Sequence, residues 1–472
     1  DREEAILSVP EDKLVRNFRG EVILDYSTPD KEYEAELFPF REVFSSSNWR
    51  SGFNKFHQYQ PEKVELFDRF EQDVIKRFEQ YQIPVIQLEA ETPKEAVCQV
   101  FEKVNTGGVA LTVFELLTAT FAADDFSLRD DWLARERNFH HNKILAKLGN
   151  TDFLQAIALL STRSRHDKQI REGIQPENTS AISCKRKDIL DLTIEEYSSF
   201  ADPLSDGFER AARLLHTQKI FTHRDLPYTT QLVPLAALLT ILGDKADNDG
   251  VRLKLTQWYW CGVLGELYGS AVETRFAKDL PEVLSWINGG EIPTTVSESS
   301  FNPDRLQTLR TRNSAAYKGI QALLIRSGAQ DFRTGITIDD QSYFDESIDI
   351  HHIFPQDWCN RQNIPASRYN SVINKTPISA KTNRMIGGNA PSFYLSRVEK
   401  SAGIEPDRMD AIIKSHVVSP ELLRNNDVEQ MWRTREKALL TLVENAMGKP
   451  LLRTWSNTPD ETIENDEFDD EN

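Results

Sequence analysis

Between residues 150 and 290 the chain is a succession of apolar segments in which large side chains recur at spacings of three and four residues. That spacing is typical of α-helices that bury one face. The breaks between the segments are short and polar, so neighbouring helices must pack against each other. We predict helices at Phe153–Leu160, Phe208–Leu215, Leu232–Leu242, Leu253–Leu267 and Val283–Ile287. A mainly α-helical core follows, and an all-β architecture is excluded.

The N-terminal part mixes strand and helix patterns. Glu21–Leu24 is a short apolar strand candidate, and a helix with an apolar stripe begins at Pro61. Ile83–Leu88 is predicted as a strand, Thr92 as the cap of the next helix, and Leu111–Phe121 as a further helix. This region is therefore expected to be α+β.

The C-terminal part is predicted to be helical around one strand. An amphipathic helix is predicted at Pro303–Ile325, and a long one near Val428–Met447. Between them, Ile348–Phe354 is rich in β-branched and aromatic residues, which favours a strand. After Lys400 the helices return.

Charge and cysteine content exclude several classes of protein. The formal net charge is −18, which excludes a uniformly basic nucleic-acid binder but not a basic site on an acidic body. The acidic residues after Asp460 are expected to be disordered. The four cysteines form no CxxC pair, so a disulfide framework or a cysteine-rich zinc site is not expected. No apolar run reaches the about 18 residues of a membrane span, and we expect a cytoplasmic, bacterial protein without a membrane partner.

The chemistry is concentrated in the window Ser347–Lys400. In a strand, Asp349 and His351 share one face while His352 lies on the other. Asn374 follows His352 by 22 residues, and Asn383 follows Asn374 by nine. Asp349 is either a further metal ligand or an acid at the strand edge.

Hydrolysis of a phosphodiester bond requires a deprotonated water and a cation that stabilises the transition state. A neutral histidine accepts the proton of the water near pH 7. A second histidine and an amide oxygen from a following helix can hold one divalent cation and leave positions open for phosphate and water. The middle asparagine suits a supporting hydrogen bond that orients the base.

This pattern of two histidines followed by two spaced asparagines resembles the HNH nuclease motif of the ββα-metal fold. The resemblance implies that two residues are catalytic: His352 as the general base and Asn374 as the middle asparagine of the motif. It also implies that His351 and Asn383 bind Mg²⁺ or Mn²⁺. The cysteine pairs that staple some HNH domains with zinc are missing, so neighbouring elements must hold this domain together.

The segment FEKVNTGGVALTVFEL, which begins at Phe101, resembles a segment of the GmrSD restriction endonucleases. These join a ParB-like nucleotide-using domain to a C-terminal HNH domain. On this resemblance Asn105, Gly108 and Glu115 lie near nucleotide, although a helix stop and cap explain them equally well. The implied domains are an incomplete ParB-like region 1–122, a helical middle 123–300, an HNH region with flanking helices 301–450 and the acidic tail 451–472.

Two N-terminal segments of that family, QR-x-x-x-W and DGQQR, do not occur in this sequence, and neither does a phosphate-binding GxxxxGK[ST] loop. Since the chain begins at Asp1 inside the ParB-like region, we expect that a leading part is missing. Nucleoside triphosphate is therefore expected as a cofactor only where that segment is present.

Seven basic residues against two acidic ones lie between Gln356 and Lys400. Such a local excess suits contacts to DNA phosphates, for which we single out Lys375, Lys381 and Arg384. A second histidine pair, His140-His141, has no partners at metal-binding spacing and is predicted to lie on a helix surface. The aromatic run Trp258–Trp260 is predicted as core rather than as a base-stacking surface.

The function expected from the sequence is metal-dependent cleavage of DNA, in restriction of invading or modified phage DNA. One alternative is a non-catalytic helical module that senses DNA or assists assembly and carries a degenerate HNH box. Another is an HNH nuclease directed at RNA. The sequence leaves homo-oligomer formation open.

Overall fold

The computed structural model describes residues 6–8, 14–16, 22–83, 85 and 111–451. The chain separates into two compact units, Asp1–Thr92 and Pro93–Asn472, which are described one by one. Within the described ranges, no helix combines the length and the hydropathy that crossing a bilayer requires.

The described elements are mostly helical, which confirms a mainly α chain. The strands are β1 Leu7–Ser8, β2 Leu14–Arg16, β3 Val22–Asp25, β4 Leu37–Phe38, β5 Ile348–His352 and β6 Lys375–Ser379. The α-helices are α1 Pro29–Glu34, α2 Ser47–Phe56, α3 Pro61–Phe70, α4 Lys76–Gln80, α5 Val113–Ala122, α6 Leu128–His140, α7 Asn150–Arg171, α8 Arg186–Leu190, α9 Ile194–Thr217, α10 Leu232–Leu242, α11 Asp249–Leu264, α12 Val272–Ile287, α13 Thr294–Glu298, α14 Arg305–Thr308, α15 Ala315–Arg326, α16 Asp340–Asp345, α17 Gln356–Arg361, α18 Ala366–Tyr369, α19 Ala380–Ile386, α20 Pro391–Ala402, α21 Pro406–Lys414, α22 Pro420–Arg424 and α23 Val428–Met447.

The first unit is a small α+β structure. Strands β1 and β4 pair in parallel, and β2 pairs with β3 in an antiparallel ribbon, so the strand predicted at Glu21–Leu24 is confirmed. Its core is aromatic: Trp49 stacks on Phe53 with ring centroids 5.0 Å apart. A π-helical turn links α3 to α4, which makes one long helix from Pro61. The strand predicted at Ile83–Leu88 and the helix capped by Thr92 lie largely outside the described residues.

The second unit is built on one large apolar core. Helix α10 has the predicted bounds and packs against α9, because its apolar residues cover every side. The aromatic run Trp258–Trp260 is buried in this core, as predicted. His140 and His141 lie exposed at the end of α6, also as predicted. The division of the chain at residues 122 and 300 stays a prediction.

The single helix predicted at Pro303–Ile325 is wrong. Helix α14 ends at Thr308, and Leu309 adopts an extended conformation. The Leu309 carbonyl accepts the N–H of Val372 at 2.8 Å, and the Arg310 carbonyl accepts from the Lys375 ammonium at 2.8 Å. Ser314 then caps α15. Tertiary hydrogen bonds to Val372 and to the first residue of β6 therefore replace the continuous helix that the periodicity predicts.

Strands β5 and β6 form an antiparallel pair that leads directly into α19. Ile348 faces Ser379 and His352 faces Lys375 in its register. Ser379 caps α19 by accepting the N–H of Thr382 at 3.1 Å. Gly387, with φ of +54°, ends the helix in a conformation that glycine adopts most readily.

Candidate active site

Asn374 ties together the two segments that flank the strand pair. Its side chain is completely buried and makes three hydrogen bonds. The amide group donates to the carbonyls of Phe354 and Tyr369, both at 2.9 Å, and the amide oxygen accepts the N–H of Phe354 at 2.9 Å. A buried carboxamide satisfied in this way fixes the chain that leaves β5.

His352 lies at the end of β5 and is held by a neighbouring carboxamide. Its Nε2 is 2.9 Å from the amide oxygen of Asn370, so Nε2 donates and Nδ1 keeps its lone pair. Burial lowers the pKa of His352 to about 4, and the positive charge of Lys375 acts in the same direction. The imidazole is therefore neutral at pH 7, the form that accepts a proton.

One open cleft brings together residues from β5, α17 and α19. His352, Asp357, Asn383 and Arg384 line it, with the turn at Gly388. A Cβ at Gly388 would lie 2.5 Å from the Asp357 carboxylate, so the backbone approaches that side chain closely. The Asn383 carboxamide has no hydrogen-bond partner among the described residues and is free to bind a ligand.

Asp331 anchors the helix that carries Asn383. Its buried carboxylate accepts the N–H of Ser379 at 2.7 Å and the hydroxyl of Thr382 at 2.9 Å. Burial acts to raise the pKa of Asp331, but these hydrogen bonds outweigh it and the pKa is lowered. The start of α19 is therefore held by a charge-assisted network.

His351 does not line the cleft that contains His352 and Asn383. Alternation along β5 places it on the face of Asp349, which pairs with Arg312 at 2.5 Å. Burial lowers the pKa of His351 against the opposing effect of Asp349. Its Nε2 is buried without a hydrogen-bond partner in the described part of the chain. The role of His351 as a metal ligand stays a prediction.

The donor atoms of the cleft fit a hard divalent cation that retains water ligands. Asn383 and Asp357 offer oxygen atoms, which Mg²⁺ and Mn²⁺ prefer. The Nε2 of His351 also lacks a hydrogen-bond partner among the described residues, but His351 lies outside the cleft on the opposite face of β5 from His352. Among the described residues no group of three or more His, Cys, Asp or Glu forms a metal cage, so water and phosphate would complete the coordination.

The three residues predicted to contact DNA phosphates differ in their surroundings. Arg384 is exposed and lines the cleft. Lys381 is exposed, with 59% of its side chain accessible, and lies 3.7 Å from Glu346. Lys375 is half-buried: it donates to the Arg310 carbonyl, and burial lowers its pKa to about 8. Of the three, only Arg384 lies in the cleft.

Of the three residues predicted to lie near nucleotide, the structure describes only Glu115. Asn105 and Gly108 lie outside the described residues. Glu115 forms a capping box with Thr112, accepting its N–H at 2.7 Å, and this bond lowers the pKa of the carboxyl. A contact with nucleotide stays a prediction for all three.

His416 is fully buried and contacts Thr376 of β6. It is 2.6 Å from the Thr376 hydroxyl and 2.6 Å from the Gln330 carbonyl. The carbonyl requires Nε2 to donate, and in the neutral ring Nδ1 then accepts from the Thr376 hydroxyl. Burial lowers its pKa to about 4, although the Gln330 carbonyl acts in the opposite direction.

We predict that His416 makes stability depend on pH between about 4 and 6.5. Since its folded pKa lies below that of the unfolded chain, its contribution is complete above pH 6.5 and is lost as the pH falls toward 4. Between pH 7 and pH 5 the free energy of unfolding should fall by about 2 kcal/mol more in the wild type than in His416→Gln. Urea unfolding at both pH values measures this, and an equal fall in both proteins would contradict it.

Four supporting residues were missed by the sequence reasoning: Asn370, Asp357, Asp331 and Arg435. Neither spacing nor local composition distinguishes them from ordinary polar residues. Arg435 lies on α23, far along the chain, and donates to the carbonyls of Ile373 and Lys375 on either side of Asn374. Only the packed structure brings them to the strand pair.

Comparison with known proteins adds two similarities. An uncharacterized protein of Methanocaldococcus jannaschii is 26% identical over 425 residues, which cover 84% of this chain and 67% of that protein. Residues 11–122 match the family model described as "GmrSD restriction endonuclease, N-terminal domain". The N-terminal part of the chain is therefore similar to the first domain of the GmrSD restriction endonucleases, as the sequence predicts.

Proposed function

We propose that this chain is a divalent-metal-dependent endonuclease that cleaves DNA phosphodiester bonds at the cleft between β5, α17 and α19. One observation carries the proposal: a neutral histidine, a free carboxamide and an exposed guanidinium line the same cleft, although 32 positions separate His352 from Arg384 in the sequence. The similarity of residues 11–122 to a restriction endonuclease domain supports a nuclease role.

Each side chain has a task that suits its environment. His352 takes the proton of the attacking water on Nδ1, because Asn370 holds its Nε2 as a donor. Arg384 binds the scissile phosphate and orients it for attack. Asn374 keeps the chain after β5 in place, so that the base keeps its position relative to the phosphate. The product of such a reaction carries a 5′-phosphate.

A bound Mg²⁺ or Mn²⁺ would polarise the phosphate and stabilise the departing 3′ oxygen. In this proposal Asn383 and Asp357 hold it from within the cleft, and the predicted role of His351 as a ligand requires its ring to reach the cation from the other face of β5. Asp331 holds the N-terminus of α19 and thereby fixes the direction in which Asn383 projects.

The function is tested by incubating the full chain with supercoiled plasmid and Mg²⁺ or Mn²⁺. We expect nicked and linear DNA with metal and none with EDTA, because the cation neutralises charge in the transition state. Asn383→Ala should lower Mn²⁺ affinity about 10- to 100-fold by calorimetry and slow cleavage in parallel. The control is Asn360→Ala, which removes an exposed asparagine of α17 outside the cleft. DNA binding without cleavage under every metal condition would favour the non-catalytic module instead.

The biological target in this proposal is invading DNA, including modified phage DNA. Cleavage of modified and unmodified phage DNA is compared, with duplex RNA as a third substrate and with or without nucleoside triphosphate. Faster cleavage of one DNA identifies the modification that is read. Cleavage of RNA alone would overturn the choice of DNA as the substrate.

A further inference from the structure

A second cavity lies between β5, α15 and the loop that joins α9 to α10. Its volume is about 90 Å³, which corresponds to roughly three water molecules at about 30 Å³ each. Ile348 and Ile350 form part of its wall, so it shares β5 with the nuclease cleft. The nuclease mechanism proposed above uses none of the other side chains that line it.

Gln321 is the most unusual side chain of this cavity. It is only 5% exposed, and both its amide nitrogen and its amide oxygen lack a hydrogen-bond partner in the described part of the chain. A buried carboxamide without partners is costly, and well-packed proteins seldom retain one. Since Gln321 lines the cavity, a ligand bound there would supply the hydrogen bonds that its amide group lacks.

The charges around Gln321 favour an anion. Both acidic residues of the wall are already engaged: Asp349 pairs with Arg312, and Asp225 accepts the hydroxyl of Tyr343 at 2.7 Å. Lys219 and Arg224 also line the cavity, and no described carboxylate lies within ion-pair distance of either. The wall thus carries four basic side chains, Lys219, Arg224, Arg312 and Lys318, against the two acidic ones, which leaves an excess of positive charge.

Lys318, which also lines the cavity, is a further reason to expect an anion there. Its ammonium donates only to a neutral group, the Leu226 carbonyl, at 3.1 Å. Burial lowers the pKa of Lys318, whereas the charge of Asp225 acts to raise it. A bound anion would offset the loss of hydration that this ammonium suffers.

We propose that this cavity binds a phosphate group, carried by inorganic phosphate or by a small phosphate monoester. The Gln321 amide group donates to a phosphate oxygen, its carbonyl accepts from the P–OH group of the singly protonated phosphate, and Lys318, Lys219 and Arg224 supply the charge. The room available admits a single phosphate group and excludes the backbone of a DNA duplex. The ligand lies against the strand that carries the two histidines.

Calorimetric titration of the full chain with inorganic phosphate, and separately with adenosine monophosphate, tests the proposal without any DNA. We expect saturable binding of at least one probe. The double variant Lys219→Ala/Arg224→Ala should bind about tenfold more weakly or worse, because two charge-assisted contacts are lost. The control Arg213→Ala removes an exposed arginine of α9 away from the cavity and should bind as the wild type does.

Gln321→Leu separates a ligand role from a structural one. It should weaken phosphate binding by about tenfold or more, yet melt at the same temperature as the wild type or higher without ligand, because an unpaired amide is removed. Tighter binding of adenosine monophosphate than of phosphate would identify a monoester as the ligand, and the reverse order would identify the inorganic ion. The proposal is overturned if neither probe saturates the wild type, or if these variants bind like Arg213→Ala.

Discussion

His352→Ala is expected to slow DNA cleavage about 10²- to 10⁴-fold while the fold and the affinity for DNA stay unchanged. The loss has a simple physical reason. His352 is neutral at pH 7 because burial lowers its pKa to about 4, and it is the only histidine among the described residues that line the cleft. Without it, the cleft has no imidazole to take the proton of the attacking water.

Single-turnover cleavage of an end-labelled duplex under saturating Mg²⁺ measures this loss. Thermal melting verifies the fold, and a binding titration in Ca²⁺ verifies that DNA still binds. External imidazole should restore part of the rate in His352→Ala, because it replaces the missing base. The matched control is His141→Ala, which removes an exposed histidine after α6 and should cleave like the wild type. Cleavage by His352→Ala at the wild-type rate would show that another group is the base.

Arg435→Met is expected to lower the free energy of unfolding by about 3 kcal/mol and to abolish cleavage with it. The Arg435 side chain is 1% exposed, and no carboxylate of the described residues pairs with it. Its guanidinium donates instead to the carbonyls of Ile373 and Lys375 and, at 3.4 Å, to that of His416. Burial lowers the pKa of Arg435 to about 9, so the group is still charged at pH 7.

Methionine fills a similar volume but leaves those carbonyls without a donor. The segment around Asn374 would then lose its support, and His352 would lose its position relative to Asn383. Urea unfolding gives the stability, and Arg433→Met is the control because Arg433 is exposed on the same helix. Arg435→Lys should recover part of the stability, since an ammonium reaches fewer of the three carbonyls. Equal stability of Arg435→Met and Arg433→Met would contradict the prediction.

Several elements of the fold follow directly from local pattern. The bounds predicted for Leu232–Leu242 and Val428–Met447 agree with the structure, because apolar periodicity and flanking polar residues determine helices that pack on a core. The β-branched run at Ile348 likewise predicts β5. The apolar periodicity wrongly predicts one helix at Pro303–Ile325. There the carbonyls of Leu309 and Arg310 accept hydrogen bonds from Val372 and Lys375 and not from a following turn of helix.

For the candidate site, the sequence by itself determined the residue types and their spacing: His352, Asn374 and Asn383 on a strand, a turn and a helix. Which side chains meet was decided only by the tertiary structure. It joins His352 and Asn383 in one cleft, adds Asp357 to it and leaves His351 outside. It also brings Asp331 and Arg435 to the strand pair. The physical reason is that hydrogen bonds between distant segments depend on packing, which the periodicity of apolar residues does not encode.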